Sequence, residues 1–502
     1  MSEQRGTMAA ALLGAGLLLG IAADQLLWLG PLGPGMTLWM ALLGSAAVLL
    51  TGRAGWPWHR DVIVWSAVAV LAVAGTMWRA SPVLNLLFLA TAVAAASCAL
   101  LAARGKRLGE TAVLDHVWGF VLAPWFAVTG SVSLLTRARL PGRWASDRAA
   151  GVGRGVLLGI PPVLVFGALF ASADPAFGRV VDGLVPNVAE LPEHVAVAGF
   201  FAWVAAGLLA GLLPGRSENP LAVARPPRLG VEVTTVLGLV AVVFTAFIAV
   251  QFSYLFGGTA AIEGATGLTV AEYARRGFFE LLAVAGLVTV LLLVADAASP
   301  EDAGRRGFRL LAGLLVGLVM LVIASAGLRL GLYIDQFGLT TARLYAAAAM
   351  TWIAITLVLF GVTVLRDRPR RFASGALLAG LAMVAALTLL NPDAAVARTN
   401  LARATAAAED PAVQPMLDAG YLAHLSADAV PVVLPAVLFD RAHRLMGDME
   451  RCGLAAGLIK RWAPASLGPE DRDWRRWNAA EAGARVQVEG ALPELREIAA
   501  DC

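Results

Sequence analysis

Residues 254–281 read YLFGGTAAIEGATGLTVAEYARRGFFEL, and long apolar stretches flank them on both sides. Glu263, Glu272, Tyr273, Arg275, Arg276 and Glu280 make this the densest run of polar chemistry in an otherwise apolar part of the chain. A polar connection between two runs long enough to cross lipid decides the fold class: all-α, a polytopic transmembrane helix bundle. A helix needs about 20 apolar residues to cross the hydrocarbon core. Windows at 8–29, 36–52, 61–78, 82–102, 152–172, 193–213, 231–256, 277–295, 308–328, 345–365 and 373–390 meet or approach that length, giving eleven spans. Residues 111–135 offer a twelfth, but Asp115 and His116 lie near the start and Pro124 in the middle.

Composition agrees. Of 502 residues, 59% are hydrophobic and 15% charged, whereas a soluble domain carries about 25% charged residues. Membrane lipid is therefore the expected surrounding partner, and a net charge of +3 is too small to point to nucleic acid. The segment from Ala9 to Leu29 is long enough to span and is read as an uncleaved first helix.

Arginine placement sets the expected topology, because basic residues near span ends favour the cytoplasmic side. If 111–135 does not cross, the cytoplasmic loops from Arg137 onward hold fifteen arginines. The outer ones hold five: Arg179, Arg275, Arg276, Arg329 and Arg343. A full crossing would exchange those numbers, so 111–135 is expected to be re-entrant or interfacial. The N-terminus is then cytoplasmic and the C-terminal part extracytoplasmic. Residues 1–390 form the transmembrane bundle and 391–502 a small soluble helical domain. Asn391 can cap its first helix, Pro392 suits the first helical position and Asp393 complements the dipole. Asp174-Pro175 repeats the device in an outer loop. Cys452 and Cys502 lie in the oxidisable tail, where a bridge and two free thiols are both open. Cys98 reads as a packing residue. Gly151, Gly155 and Gly159 read as close helix–helix contact rather than a phosphate loop.

HExxH, P-loop and nucleophile-elbow motifs are missing, and the five histidines are scattered, so no metal, cofactor or catalytic set is expected. Glu272, Arg276 and Glu280 are spaced by four and share a face if 269–281 is helical. Glu280 falls inside an apolar window, where an ionisable group usually faces a bundle or a wet cavity. It either neutralises Arg276 near the interface or contacts a substrate or proton; Asp24 invites the same reading. Tyr254, Tyr273, Tyr333 and Tyr345 fall at outer span ends, as an aromatic belt would. Asp174 and Arg179 lie in one outer loop; Arg329, Asp335 and Arg343 lie in another. Glu272, Tyr273, Arg275, Arg276, Glu280, Asp174, Arg179, Tyr333, Asp335 and Arg343 thus make up a candidate outward-facing ligand pocket. The basic loops ARGKR and RDRPRR read as orientation signals.

Six ordered motifs resemble a known family: SADPAF (172–177), YLFGG (254–258), AEYARRGFFEL (271–281), YIDQFGLTTARLY (333–345), NPDAAVARTNLARA (391–404) and YLAHLSADAVPVVL (421–434). They look like the bacterial multi-pass family known as domain of unknown function 4173, with 4153 as a close relative. The resemblance implies a bacterial cell-membrane protein and brings no assigned activity.

Three functional classes follow. A transport or sensing protein would bind its ligand in the outer pocket, with the tail as a lid or docking surface. A membrane-embedded enzyme would act on a lipid-linked substrate outside, with Asp24, Glu272 or Glu280 as general base. A structural or regulatory subunit would dock a membrane or envelope protein partner. Few spans carry ionisable residues and no inverted repeat stands out, which weighs against coupled transport.

Overall fold

The computed structural model describes residues 2–28, 30, 32–53, 59–103, 123–131, 134, 191–212, 231–255, 278–299, 304–408, 417–439, 446–464, 468 and 472–500. Among them all regular structure is helical. The long helices are α1 (Ser2–Leu27), α2 (Pro34–Arg53), α3 (His59–Trp78), α4 (Pro82–Ala103), α5 (Leu191–Gly211), α6 (Val231–Leu255), α7 (Phe278–Ala298), α8 (Gly304–Phe337), α9 (Thr341–Thr363) and α10 (Arg370–Leu390). Shorter ones follow: α11 (Pro392–Ala408), α12 (Ala419–His424), α13 (Val430–Phe439), α14 (Asp448–Trp462), α15 (Ala479–Gly490) and α16 (Leu492–Ala500). Among the described residues, α2 to α10 contain nine segments long and apolar enough to cross a membrane. Their outward faces carry exposed Leu71, Leu239, Leu287 and Leu321. Contiguous apolar surface of that kind is a liability in water and ordinary in lipid. The chain is a multi-pass membrane protein.

These helices form where composition dictates. Proline at the first position of α2, α4 and α11 fits a place where no amide hydrogen is needed. Ten of the expected windows coincide with α1–α10, while 152–172 lies outside the described residues. One boundary differs. Arg329, Tyr333 and Asp335 are expected at or beyond a span end, but α8 continues through them to Phe337. Leu328, Leu330, Leu332 and Ile334 keep that stretch apolar, and no proline interrupts it before Gly338, whose φ of 78° ends the helix.

Contacts assign the helix ends to two sides. α1 and α5 pack antiparallel, with Gly16 and Gly20 against Ala198, Ala202 and Ala206. This is the small-residue spacing that lets backbones approach. Leu100 of α4 reaches Gly211 at the end of α5, so α4 and α5 run in the same direction. A helix over 123–131 lies antiparallel on α5, with Phe126 beside Gly211 and Gly130 beside Gly207. It is thus inserted alongside α5 rather than laid across the bundle surface. The rest of 111–135, apart from Leu134, lies outside the described residues, as do Gly151, Gly155 and Gly159.

Two apolar cores result. One joins α1, α2, α5 and the end of α4 through Leu12, Trp39, Phe126 and Leu209. The other joins α6 to α9 and the start of α10 through Leu237, Leu292, Leu315 and Phe360. They meet where Leu84 and Phe88 of α4 pack on Leu387 of α10. α4 is accordingly the most buried span, with 61% of its window inside. At the end away from the tail, Arg305 pairs with Asp296 and Asp367, both at 3.3 Å, and Arg309 also pairs with Asp367. The RDRPRR loop is therefore also an ion-pair latch between α7, α8 and the α9–α10 turn.

Residues after Asn391 build a third core from Val396, Leu422, Val433, Val437, Leu454 and Leu495. Asn391 caps α11 through Ala394 N–H at 3.3 Å, as its sequence suggests. Cys98 is free and Cys452 is disulfide-bonded; Cys502 lies outside the described residues.

Candidate functional site

The tail seats on one end of the bundle, and its grip starts with the three-residue connection between α3 and α4. Arg79 pairs with Asp428 at 3.2 Å, and their side chains are 13% and 1% exposed. The second Asp428 oxygen accepts from Ala80 N–H at 2.7 Å and from the Ser426 hydroxyl at 3.4 Å. Arg79 Nε donates to the Thr388 carbonyl at 2.9 Å, tying in the end of α10. Asn478 Nδ2 donates to the carbonyls of Thr76 and Arg79 at 2.8 and 3.0 Å, while its oxygen caps α15. Ser81 and Tyr345 hydroxyls lie 3.2 Å apart, bringing α9 into the same cluster.

Asp393 sits beside this network, 3% exposed, and accepts from Ser426 N–H at 3.2 Å. Burial raises its carboxyl above the ordinary carboxylate value, Asp428 nearby pushes the same way, and the Ser426 hydrogen bonds offset part of the rise. Between the ordinary value and the raised one, the folded state holds a proton that the unfolded chain has released. This group's contribution to stability therefore falls as pH rises through that window and is constant above it. Asp393→Asn removes the ionisation while keeping an oxygen for Ser426. Its thermal stability relative to wild type should rise as pH climbs above the ordinary carboxylate value, read as melting temperature in detergent. Parallel profiles would show that Asp393 does not titrate in this window.

A second grip holds the α8–α9 turn. Asn400 clamps Leu339 by accepting from its N–H and donating to its carbonyl, both at 2.8 Å. Tyr421 accepts from Thr341 N–H at 2.8 Å, and Arg403 donates to the Asp335 carbonyl. Arg343 donates to the Gly338 carbonyl and stacks over Tyr333, 3.9 Å from the ring centre. On the far side of the seat, Arg475 donates to the Gln25 carbonyl at 2.6 Å. Asp24 lies next to Gln25 and meets His194 Nδ1 at 2.7 Å, with Trp28 stacked on the imidazole at 3.6 Å.

Of the ten residues expected to line an outer pocket, Tyr333, Asp335 and Arg343 are brought together, at the gripped turn. There the Asp335 carbonyl accepts from Arg403 of the tail, while Arg343 stacks on Tyr333 and donates to the Gly338 carbonyl. Glu280 lies in the first turn of α7. Glu272, Tyr273, Arg275, Arg276, Asp174 and Arg179 lie outside the described residues. Sequence reasoning missed Arg79, Ser426 and Asp428. The available signal was Arg79 itself, an arginine in a short connection on the side where arginines are scarce.

Three of the motifs that resemble one family, 333–345, 391–404 and 421–434, meet at this seat, so their co-occurrence has a physical basis. No curated protein and no solved structure matches the chain. The expected assignment to domain of unknown function 4173 is corrected to its relative, whose model spans Arg79, Tyr345, Asp393 and Asp428. With residues 66–436 matched, the chain belongs to the family Domain of unknown function (DUF4153).

Proposed function

We propose that this membrane protein is of the sensing type. Its C-terminal module, an extracytoplasmic domain over 391–502, docks on the outer end of the bundle and couples conditions there to the spans. The observation that carries this reading is the buried Arg79–Asp428 pair, which joins the α3–α4 connection to the tail. With the Asn400, Arg403 and Tyr421 contacts, it links the tail to both halves of the bundle.

Orientation is supported by charge. Arg305, Arg306, Arg309, Arg366, Arg368, Arg370 and Arg371 gather at the end opposite the tail, which favours that end in the cytoplasm. A disulfide at Cys452 fits an oxidising compartment around the tail.

Two measurements test the reading. A reporter fused after Cys502 should be active only in its extracytoplasmic form; a cytosolic signal overturns the orientation. The paired change Arg79→Met with Asp428→Leu should restore abundance but not the phenotype lost on gene deletion. Full recovery of that phenotype would reduce the pair to a structural fastening.

A further inference from the structure

Residues 472–477 of the tail read RDWRRW, and Trp474–Arg476 fold into a short 3-10 turn seated on the α1–α2 connection. Asp473 shapes it. Its carboxylate accepts from Arg475 N–H at 2.8 Å and holds the Arg475 guanidinium at 2.6 and 2.9 Å. The remaining guanidinium nitrogen reaches the Gln25 carbonyl at the end of α1. The chains come closest at Gly33, where an added Cβ would lie 2.8 Å from the Arg475 carbonyl oxygen. The crossing segment of α2 begins at the next residue, Pro34. An added Cβ on Gly35, already inside that segment, would be 3.6 Å from the same oxygen. The tail backbone therefore stands at the level where α2 enters the membrane, not clear of it.

That level already carries tryptophan. Trp28 follows the end of α1, and Trp78, 48% exposed, is the last residue of the α3 crossing segment. Gly33 N–H donates to the Thr76 hydroxyl at 3.3 Å and Asn478 Nδ2 to the Thr76 carbonyl at 2.8 Å, which fixes α2, α3 and the tail at one height. There the tail adds Trp474 and Trp477, 56% and 48% exposed. Rings of that size are poorly placed in water, whereas a membrane interface takes their apolar body and leaves the indole N–H wet. Leu38 and Leu42, about one turn apart and exposed, show that α2 faces lipid just below. Charge does not decide the partner, because Arg472, Arg475 and Arg476 are matched in the sequence by Glu470, Asp471 and Asp473.

We propose that residues 474–477 are a membrane anchor of the tail, with the Trp474 and Trp477 rings lying among the phospholipid headgroups around α2 and α3. Depth selects this partner, since the headgroup layer is what surrounds the end of a crossing helix. The rings supply the attraction, so the surface takes phospholipid in general rather than an anionic class. The tail is then held twice, once by the bundle and once by the bilayer. The anchor does not depend on the tail acting as a sensor or on which leaflet it faces.

The test reconstitutes the full chain in phosphatidylcholine vesicles, with the photoreactive residue p-benzoylphenylalanine replacing Trp474 or Trp477 one at a time. After irradiation, mass spectrometry should find phospholipid adducts at both positions. Their yield should exceed by roughly fivefold or more that at Met449, an exposed residue of α14, which packs on other tail helices. Changing the lipid to anionic phosphatidylglycerol should alter the yield by less than about twofold, because the rings and not the charges attract. Should the variants fail to accumulate, a phosphatidylcholine with a photoreactive headgroup should label wild-type peptides over 472–477. No lipid adduct on the turn, a yield equal to that at Met449, adducts with phosphatidylglycerol alone, or cross-links confined to a second protein chain would each overturn the proposal.

Discussion

Replacing Asp428 by alanine is expected to release the tail from the bundle at a loss of about 3–5 kcal/mol. That range is typical when one partner of a buried ion pair is removed and the other is left uncompensated. For as long as the tail stays docked, Arg79 keeps, among the described residues, the Thr388 carbonyl and the Trp78 ring, 4.6 Å away, and no counter-charge. Ala80 N–H would lose its acceptor as well. The measurement is thermal unfolding in detergent together with limited proteolysis of 391–502, which should become rapid in the alanine variant. Removing both charges, as Arg79→Met with Asp428→Leu, should recover most of the loss, because no unpaired ion remains. A single alanine variant within about 0.5 kcal/mol of wild type would mean that the pair contributes little to docking.

The second large effect is expected at the contact between α1 and α5. A Cβ on Gly20 would sit 2.5 Å from the Ala202 Cβ and closer still to the Ala198 carbonyl oxygen. Backbone stands in the way, so no side chain can swing aside. Overpacking a tight contact typically costs about 1–3 kcal/mol and sometimes more, and Gly20→Leu should fall at or beyond the upper end. Abundance in the membrane should drop sharply, and surviving protein should melt early. Gly14 lies on the same helix with open space around it, so Gly14→Leu should behave as wild type. Equal behaviour of the two leucine variants would remove the close approach as a source of stability.

How far the sequence could be read depended on how local each signal was. Spans are decided by some twenty consecutive residues, and the nine crossing segments of α2 to α10 appear where apolarity alone puts them. The cap at Asn391 and the start of α11 at Pro392 are equally local. Arg79 and Asp428 lie 349 positions apart, and nothing near either residue names the other. The same holds for Asp367, which looks like a lone acid among arginines until α8 brings Arg305 and Arg309 beside it. Tyr333 and Arg343 were legible as polar chemistry at a span end, but their partners were not. Only the folded turn shows the guanidinium stacked on the ring.

Helix α8 has 34 residues, about 51 Å at 1.5 Å per residue, in a hydrocarbon layer of about 30 Å. Such a helix must lean or protrude, and its lean follows local bilayer thickness. The turn at its end is the one Asn400, Arg403 and Tyr421 hold. A helix longer than the layer it crosses therefore ends in a turn that the tail fastens rather than in a free loop.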